Sequence, residues 1–306
     1  MNFIALLLIL TSAIIHALWN LLAKQSRDKL SFLWWSMLAI LFIYFPLFFW
    51  YLRQSSLPLS ENWFWPIVSG FFQAAYCVLL SFAYEQGDLS IIYPLSRGSA
   101  PVFITIGAIL LLDERLSLTG VIGISTTVFG IYILHLHSLQ FSDLLKPIRS
   151  LTQKDSQLGV LTGITIAGYH IVDKKAISAI HPLVYLYLVQ IFLFIFLSIF
   201  VFWYTCRKDH ASGLLKSTII GFSQLKREWK ANKLHIILVG FFCYFAYLLV
   251  LFAMSMTQVS YVATVRNFSI VIATVLGATA LKEPYASMRL PASLMITLGI
   301  ILIAVS

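Results

Sequence analysis

Four helix faces in this sequence gather groups that bind and orient solutes. His16, Trp19, Asn20 and Lys24 follow one another at steps of three and four residues, the spacing that stacks side chains on one side of a helix. Tyr169, His170, Asp173 and Lys174 form a second such face, and Tyr93, Arg97 and Pro101 a third. Val262, Arg266, Ser269 and Ala273 make a fourth stripe, with Asn267 beside the arginine. The chemistry these types support is recognition. A guanidinium fork holds carboxylate or phosphoryl-type oxygens in pairs. His16, Asn20, Tyr93, Tyr169 and His170 can orient a ligand by hydrogen bonds, and Asp173 can take an amine or a proton. His16, His170 and Asp173 are the candidate titrating groups. No nucleophile stands at a spacing that would give it a base, and no His–acid motif occurs. Cys77, Cys206 and Cys243 lack metal-ligand spacing and are read as small apolar packers. Neither a metal nor a cofactor is expected.

The elements that must position these groups are membrane helices. Hydrophobic residues fill 60% of the 306 positions and charged residues 11%, against roughly a quarter charged in a soluble domain. So little polar surface cannot cover a globule, so the bilayer is the solvent. Apolar blocks of about 20 residues, the length of a spanning helix, run near 3–23, 31–52, 63–84, 91–112, 118–136, 158–176, 182–204, 235–256, 259–281 and 288–305. They do not alternate as barrel strands do. The first block lacks a basic lead and a small-residue cleavage site, and is read as a spanning helix rather than a removed signal. The net charge of +9 lies mostly in short connections, where orientation signals sit, and does not indicate nucleic acid. Trp34, Trp35, Trp50, Trp63 and Trp65 mark block ends, as an interfacial belt does.

Ten blocks divide into two sets of five. Arg97 precedes Glu114 by 17 positions, as Arg266 precedes Glu283, and Thr105 matches Thr274 in the same register. Trp19-Asn20 with Lys24 answers Tyr169-His170 with Lys174. The expected domains are a first repeat over 1–136, a linker over 137–157 and a second repeat over 158–306. Because five is odd, the second copy enters the membrane from the opposite side. Inverted repeats of this kind frame solute sites near the midplane. Alternation of helix direction sets Arg97 toward one mouth, level with Asn20 and Lys24, and Arg266 toward the other, level with Asp173 and Lys174, with His16 between. Pro94 and Pro101 are expected to interrupt the fourth block. The connection over 205–234 is expected to hold an interfacial amphipathic helix.

Structural roles compete for several of these residues. Lys24 and Lys174 can snorkel to the interface. Arg97 has Glu85 and Asp88 as nearby partners, whereas Arg266 has only Gln258 at the corresponding place, which makes it the stronger site candidate. Glu114 and Glu283 are read as caps that close corners.

His16-Ala17-Leu18-Trp19-Asn20 with Lys24, Tyr93-Pro94-Leu95-Ser96-Arg97-Gly98 with Pro101, and Glu114-Arg115-Leu116-Ser117 with Gly120 together resemble EamA-type transporters of the drug/metabolite transporter superfamily. The second half adds Tyr169, Asp173-Lys174, Arg266-Asn267 and Glu283-Pro284, the last with proline where arginine is usual. The resemblance implies ten helices around a central cavity lined by the first, third, fourth, sixth, eighth and ninth. It implies export or exchange of amino acids or similar small metabolites across the bacterial inner membrane, by a multi-pass monomer or homodimer. The expected partners are therefore a small-molecule substrate, the lipid bilayer and, as a candidate coupling ion, the proton. The alternatives kept beside a secondary transporter of an amino acid or organic anion are a flippase for a lipid-linked intermediate, a membrane-embedded enzyme and a channel. The resemblance implies a cytoplasmic N-terminus, yet loop charges favour the reverse.

Overall fold

A computed structural model describes residues 1–24, 26, 28–54, 62–86, 89–134, 154–208, 214–272, 274 and 286–306. Among them the chain is almost wholly helical and forms no strand. The helices are α1 (Phe3–Lys24), α2 (Lys29–Gln54), α3 (Phe64–Gln86), α4 (Leu89–Leu112), α5 (Leu118–Leu134), α6 (Lys154–Ala176), α7 (Pro182–Lys208), α8 (Leu214–Met256), α9 (Val259–Arg266) and α10 (Ala286–Ala304). In hydrocarbon a chain must satisfy its own backbone polar groups, and an apolar helix does so. Among the described residues six stretches are long and apolar enough to cross a membrane: Phe3–Asn20, Lys29–Gln54, Phe64–Phe82, Leu95–Leu112, Pro182–Tyr204 and Leu225–Met256. Leu118–Leu134, Val259–Ile272 and Pro291–Ala304 are apolar but shorter. The outward faces carry large apolar side chains such as Phe42, Leu110, Leu118 and Leu294, each more than two-thirds exposed, as a lipid-facing surface requires.

α6 differs from the rest. Thr162, Thr165, Tyr169, His170 and Asp173 are all buried along it, and α3 and α4 enclose it. The main packing crosses between the first five helices and the last five: α1 with α8, α2 with α7 and α8, α3 with α6 and α7, α4 with α6, α5 with α10. Hydroxyls bridge several seams. Ser12 Oγ donates to the Ala246 carbonyl at 2.8 Å, Tyr44 Oη to Phe241 at 2.9 Å, and Tyr187 Oη to Leu41 at 2.9 Å. The α5–α10 seam is closest. A Cβ on Gly123 would stand 2.7 Å from the Gly299 carbonyl oxygen, so only glycine lets these backbones meet.

Two local features differ from sequence expectation. α4 runs unbroken through Pro94 and Pro101. The interruption lies instead at Asn267, where the Asn267 N–H bonds back to Thr264 and the Ile270 N–H to Asn267. Tight three-residue steps replace the α-ladder there, and the helix resumes at 268. A proline removes only its own N–H donor and α4 stays helical through both, whereas the buried Asn267 amide donates to the Ala263 carbonyl at 3.4 Å and competes with the ladder itself. The second difference concerns the segment before 235. It is continuous with the following span in α8, and the two parts meet at a bend at Asn232 (φ −129°, ψ 20°). Trp229 packs tilted against Trp35 at 4.8 Å, and Trp35 Nε1 donates to the Leu225 carbonyl at 2.9 Å, which fixes the outer arm of α8 against α2.

Candidate functional site

Arg97 and Arg266 line the same cavity, together with His16, Ala100, Pro101, Ile104, Ile166, Tyr169, His170, Ala263, Asn267 and Ser269. Its walls are α1, α4, α6 and α9. This corrects the expectation of one arginine at each mouth. That placement counted backbone rise alone, at 1.5 Å per residue. Arg97 is nine residues into α4 and Arg266 eight into α9, and each carries its charge on a long side chain that this count leaves out; both line one cavity with His16.

The cationic groups are arranged in detail. Arg97 Nη2 lies 3.5 Å from His16 Nε2 and 3.4 Å from Tyr76 Oη. His16 is buried, its Nδ1 has no hydrogen-bond partner among the described residues, and its ring meets Trp19 edge-on at 4.9 Å. His170 Nδ1 lies 2.8 Å from the Ile166 carbonyl. That contact places the proton on Nδ1 and leaves Nε2 as an acceptor. Tyr169 packs against His170 at 4.5 Å and against Tyr76 at 6.2 Å. Arg266 Nε is buried and bonded to nothing among the described residues, and its guanidinium sits over the Tyr247 ring, 5.1 Å from the centroid. The cavity is small, about 20 Å³, room for a water or two at roughly 10–15 Å³ each. The centre is contracted around its arginines.

Other predicted residues stand outside this cavity. Asn20 is exposed and donates to the His16 carbonyl at 2.6 Å. Trp19 packs beside Phe32, Ile236 and Val239. Lys174 Nζ donates to the Met254 and Thr257 carbonyls at 2.5 and 2.8 Å, capping the end of α8. Asp173 has no solvent exposure. It accepts from Ser69 at 2.5 Å, from Tyr185 at 2.6 Å and from Tyr247, which ties α3, α7 and α8 to α6. The side chains of Lys24, Tyr93, Glu85, Asp88 and Glu283 lie outside the described residues. Among the described residues no cluster of His, Cys, Asp or Glu has metal-binding proximity. Sequence reading passed over Tyr76, Tyr247, Tyr185 and the Ser69–Gln73 pair. Ser69, Gln73 and Tyr76 do recur at helical spacing on α3, and that polar stripe was the available signal.

A chain that is almost wholly helical among the described residues, lipid-facing, and wrapped around a small buried basic cavity defines a polytopic membrane protein. Residues 3–136 and 156–305 match the EamA-like transporter family, and the chain belongs to that family. It is thus a multi-pass membrane transporter of the drug/metabolite transporter superfamily. A protein known from a crystal structure shares the fold, with a TM-score of 0.66 at 14% identity over 100% of this chain and 98% of that one.

Proposed function

We propose that this protein is a secondary transporter of a small organic anion, working by alternating access with Arg266 as the substrate anchor. The observation behind this reading is the buried Nε of Arg266, unbonded among the described residues, in a cavity shared with Arg97, His16 and His170. A buried donor left unpaired costs roughly 1–3 kcal/mol, and an anion entering the cavity recovers it. An amino acid would also need a partner for its ammonium. Asp173, the buried carboxylate nearest that role, already takes three hydroxyls and does not line the cavity, which favours an anion over a zwitterion. His16 and His170 are the cavity groups through which a proton would couple.

The cycle follows from two five-helix repeats, 1–136 and 158–306, joined by 137–157 and inserted in opposite directions to give ten spans. Two features support that reading. The family match falls in two stretches of similar length. Helix packing also keeps its pattern when the halves are exchanged: α1 on α8 corresponds to α6 on α3, and α2 on α8 to α7 on α3, while α2–α7, α4–α9 and α5–α10 map onto themselves. The contracted cavity fits a closed stage, and rocking of one repeat against the other opens it to either side. The substrate is found by comparing metabolites in cells and medium with and without expression. Arg266→Ala is then expected to abolish transport of that solute in proteoliposomes while the protein stays folded and monodisperse. Undiminished flux through the variant overturns the assignment.

A further inference from the structure

Among the described residues the guanidinium of Arg266 is held by a ring face rather than by an acceptor. Tyr247 belongs to α8, is buried, and lies behind the cavity wall rather than in it. Its ring supports Arg266 at 5.1 Å and meets the rings of Tyr169 and His170 nearly at right angles, at 6.0 and 6.1 Å. Its hydroxyl donates to one oxygen of Asp173, and the other oxygen is fixed by Ser69 and Tyr185. The ring is therefore pinned at its polar end and braced at its flank.

This mode of support matters chemically. A guanidinium offers five N–H donors in a rigid fork. A carboxylate partner would occupy two of them, whereas an aromatic face attracts the cation through its quadrupole and occupies none. A phenol that donates to a carboxylate gains electron density in its ring, so Asp173 strengthens the face it aligns. We infer that Tyr247, oriented by Asp173, is the positioning residue that holds Arg266 with its donors free for an anion, and thereby sets substrate affinity from outside the cavity. The inference about affinity rests on Arg266 being the anchor; the positioning itself is testable without substrate.

The test uses purified full-length protein in detergent and the arginine-selective reagent phenylglyoxal. Modification of Arg266 is followed by peptide mass spectrometry, with exposed Arg115 as the internal reference. Tyr247→Leu removes the ring, and Tyr247→Phe keeps the ring but drops the hydroxyl. Loss of the face is expected to speed Arg266 modification about fivefold or more, a change in line with a desolvated cation–π contact, while the Phe variant, which keeps the face but loses its tie to Asp173, falls between the parent and the Leu variant. Arg115 is expected to react alike in all three. Unchanged or slower modification in Tyr247→Leu overturns the proposal, as does a Phe variant that departs as far as the Leu variant, because the hydroxyl bond alone would then be responsible. Tyr247→Met, which fills more of the space, replaces the Leu variant if that one is not monodisperse. A failed Arg266→Ala transport assay leaves this reactivity pattern untouched, so the two readings fail separately.

Discussion

Asp173 has no solvent exposure, so an unpaired charge there would be costly, and three hydroxyls converge on it. The arrangement joins one residue from each of α3, α7 and α8 to α6. Its worth can be bounded. Interhelical hydrogen bonds in membrane proteins average about 0.6 kcal/mol each, whereas a buried hydroxyl left unpaired costs about 1–3 kcal/mol. Asp173→Leu orphans all three donors at once, so a loss of about 2–5 kcal/mol is expected, read as a lower unfolding temperature in detergent. Asp173→Asn keeps an acceptor oxygen and the shape, and is expected to lose distinctly less. A Leu variant as stable as the parent would show that the three bonds do not hold the helices. At this scale the sequence was informative in one direction. Arg97, Arg266, His16 and His170 were visible because an ionisable group in an apolar block stands out. Tyr247 and Tyr185 were not, because a phenol among 14 tyrosines and 24 phenylalanines cannot be told from a belt or packing aromatic until a carboxylate is found beside it.

Elements are joined by corners, and the α4–α5 corner shows how. α4 is followed by Asp113 in the left-handed region (φ 52°), and the Glu114 N–H reaches back six residues, over the end of the helix, to the Ala108 carbonyl at 3.1 Å. Aspartate tolerates that conformation better than most residues. The turn aims the Glu114 carboxylate at the start of α9, where it accepts from the Val259 N–H at 2.6 Å, the Ser260 N–H at 3.4 Å and the Ser260 hydroxyl at 2.8 Å. Those N–H groups have no partner within their own helix, and the N-terminus favours an anion. Glu114 thus caps a helix 145 residues away in sequence, and α9 is the helix that carries Arg266. Glu114→Ala is expected to cost about 0.5–2 kcal/mol, the usual range for losing a cap, and Glu114→Gln less, since an amide oxygen can still accept. Thermal unfolding of both variants in detergent checks the order, and an Ala variant no less stable than the Gln variant would contradict the capping role. The sequence suggested a corner-closing glutamate from its place between two apolar blocks. It could not show which helix was capped, because that partner depends on how the two halves dock. The same limit explains the proline expectation: propensity assigned the break to α4, and packing moved it to Asn267 in the ninth helix.

For the whole molecule the open choice is which way up the helices stand. With the ten spans proposed, one face of the membrane receives Arg53, Arg115, Lys174 and Lys175. The opposite face receives Lys24, Arg27, Lys29, Lys146, Arg149, Lys154, Lys282, Arg289 and the seven basic residues of 205–234, fifteen against four. Discounting Lys174, which is committed to the end of α8, widens the imbalance. Every connection is shorter than the roughly 60 residues over which the positive-inside rule applies. The outer arm of α8 adds weight, because Lys226, Arg227 and Lys230 are exposed on it, placed as a cytoplasmic, anionic leaflet would attract them. By the positive-inside rule this arm is expected in the cytoplasm and the N-terminus outside, the reverse of what the family resemblance implies. A single cysteine at Lys226, in a chain whose Cys77, Cys206 and Cys243 are changed to serine, reports the answer. In intact cells Lys226→Cys is expected to resist a membrane-impermeant maleimide and to react once the membrane is opened. Labelling of intact cells would reverse the assignment. It would also mean that fifteen positive charges had been translocated against the rule, which only strong packing of the second repeat on the first could enforce.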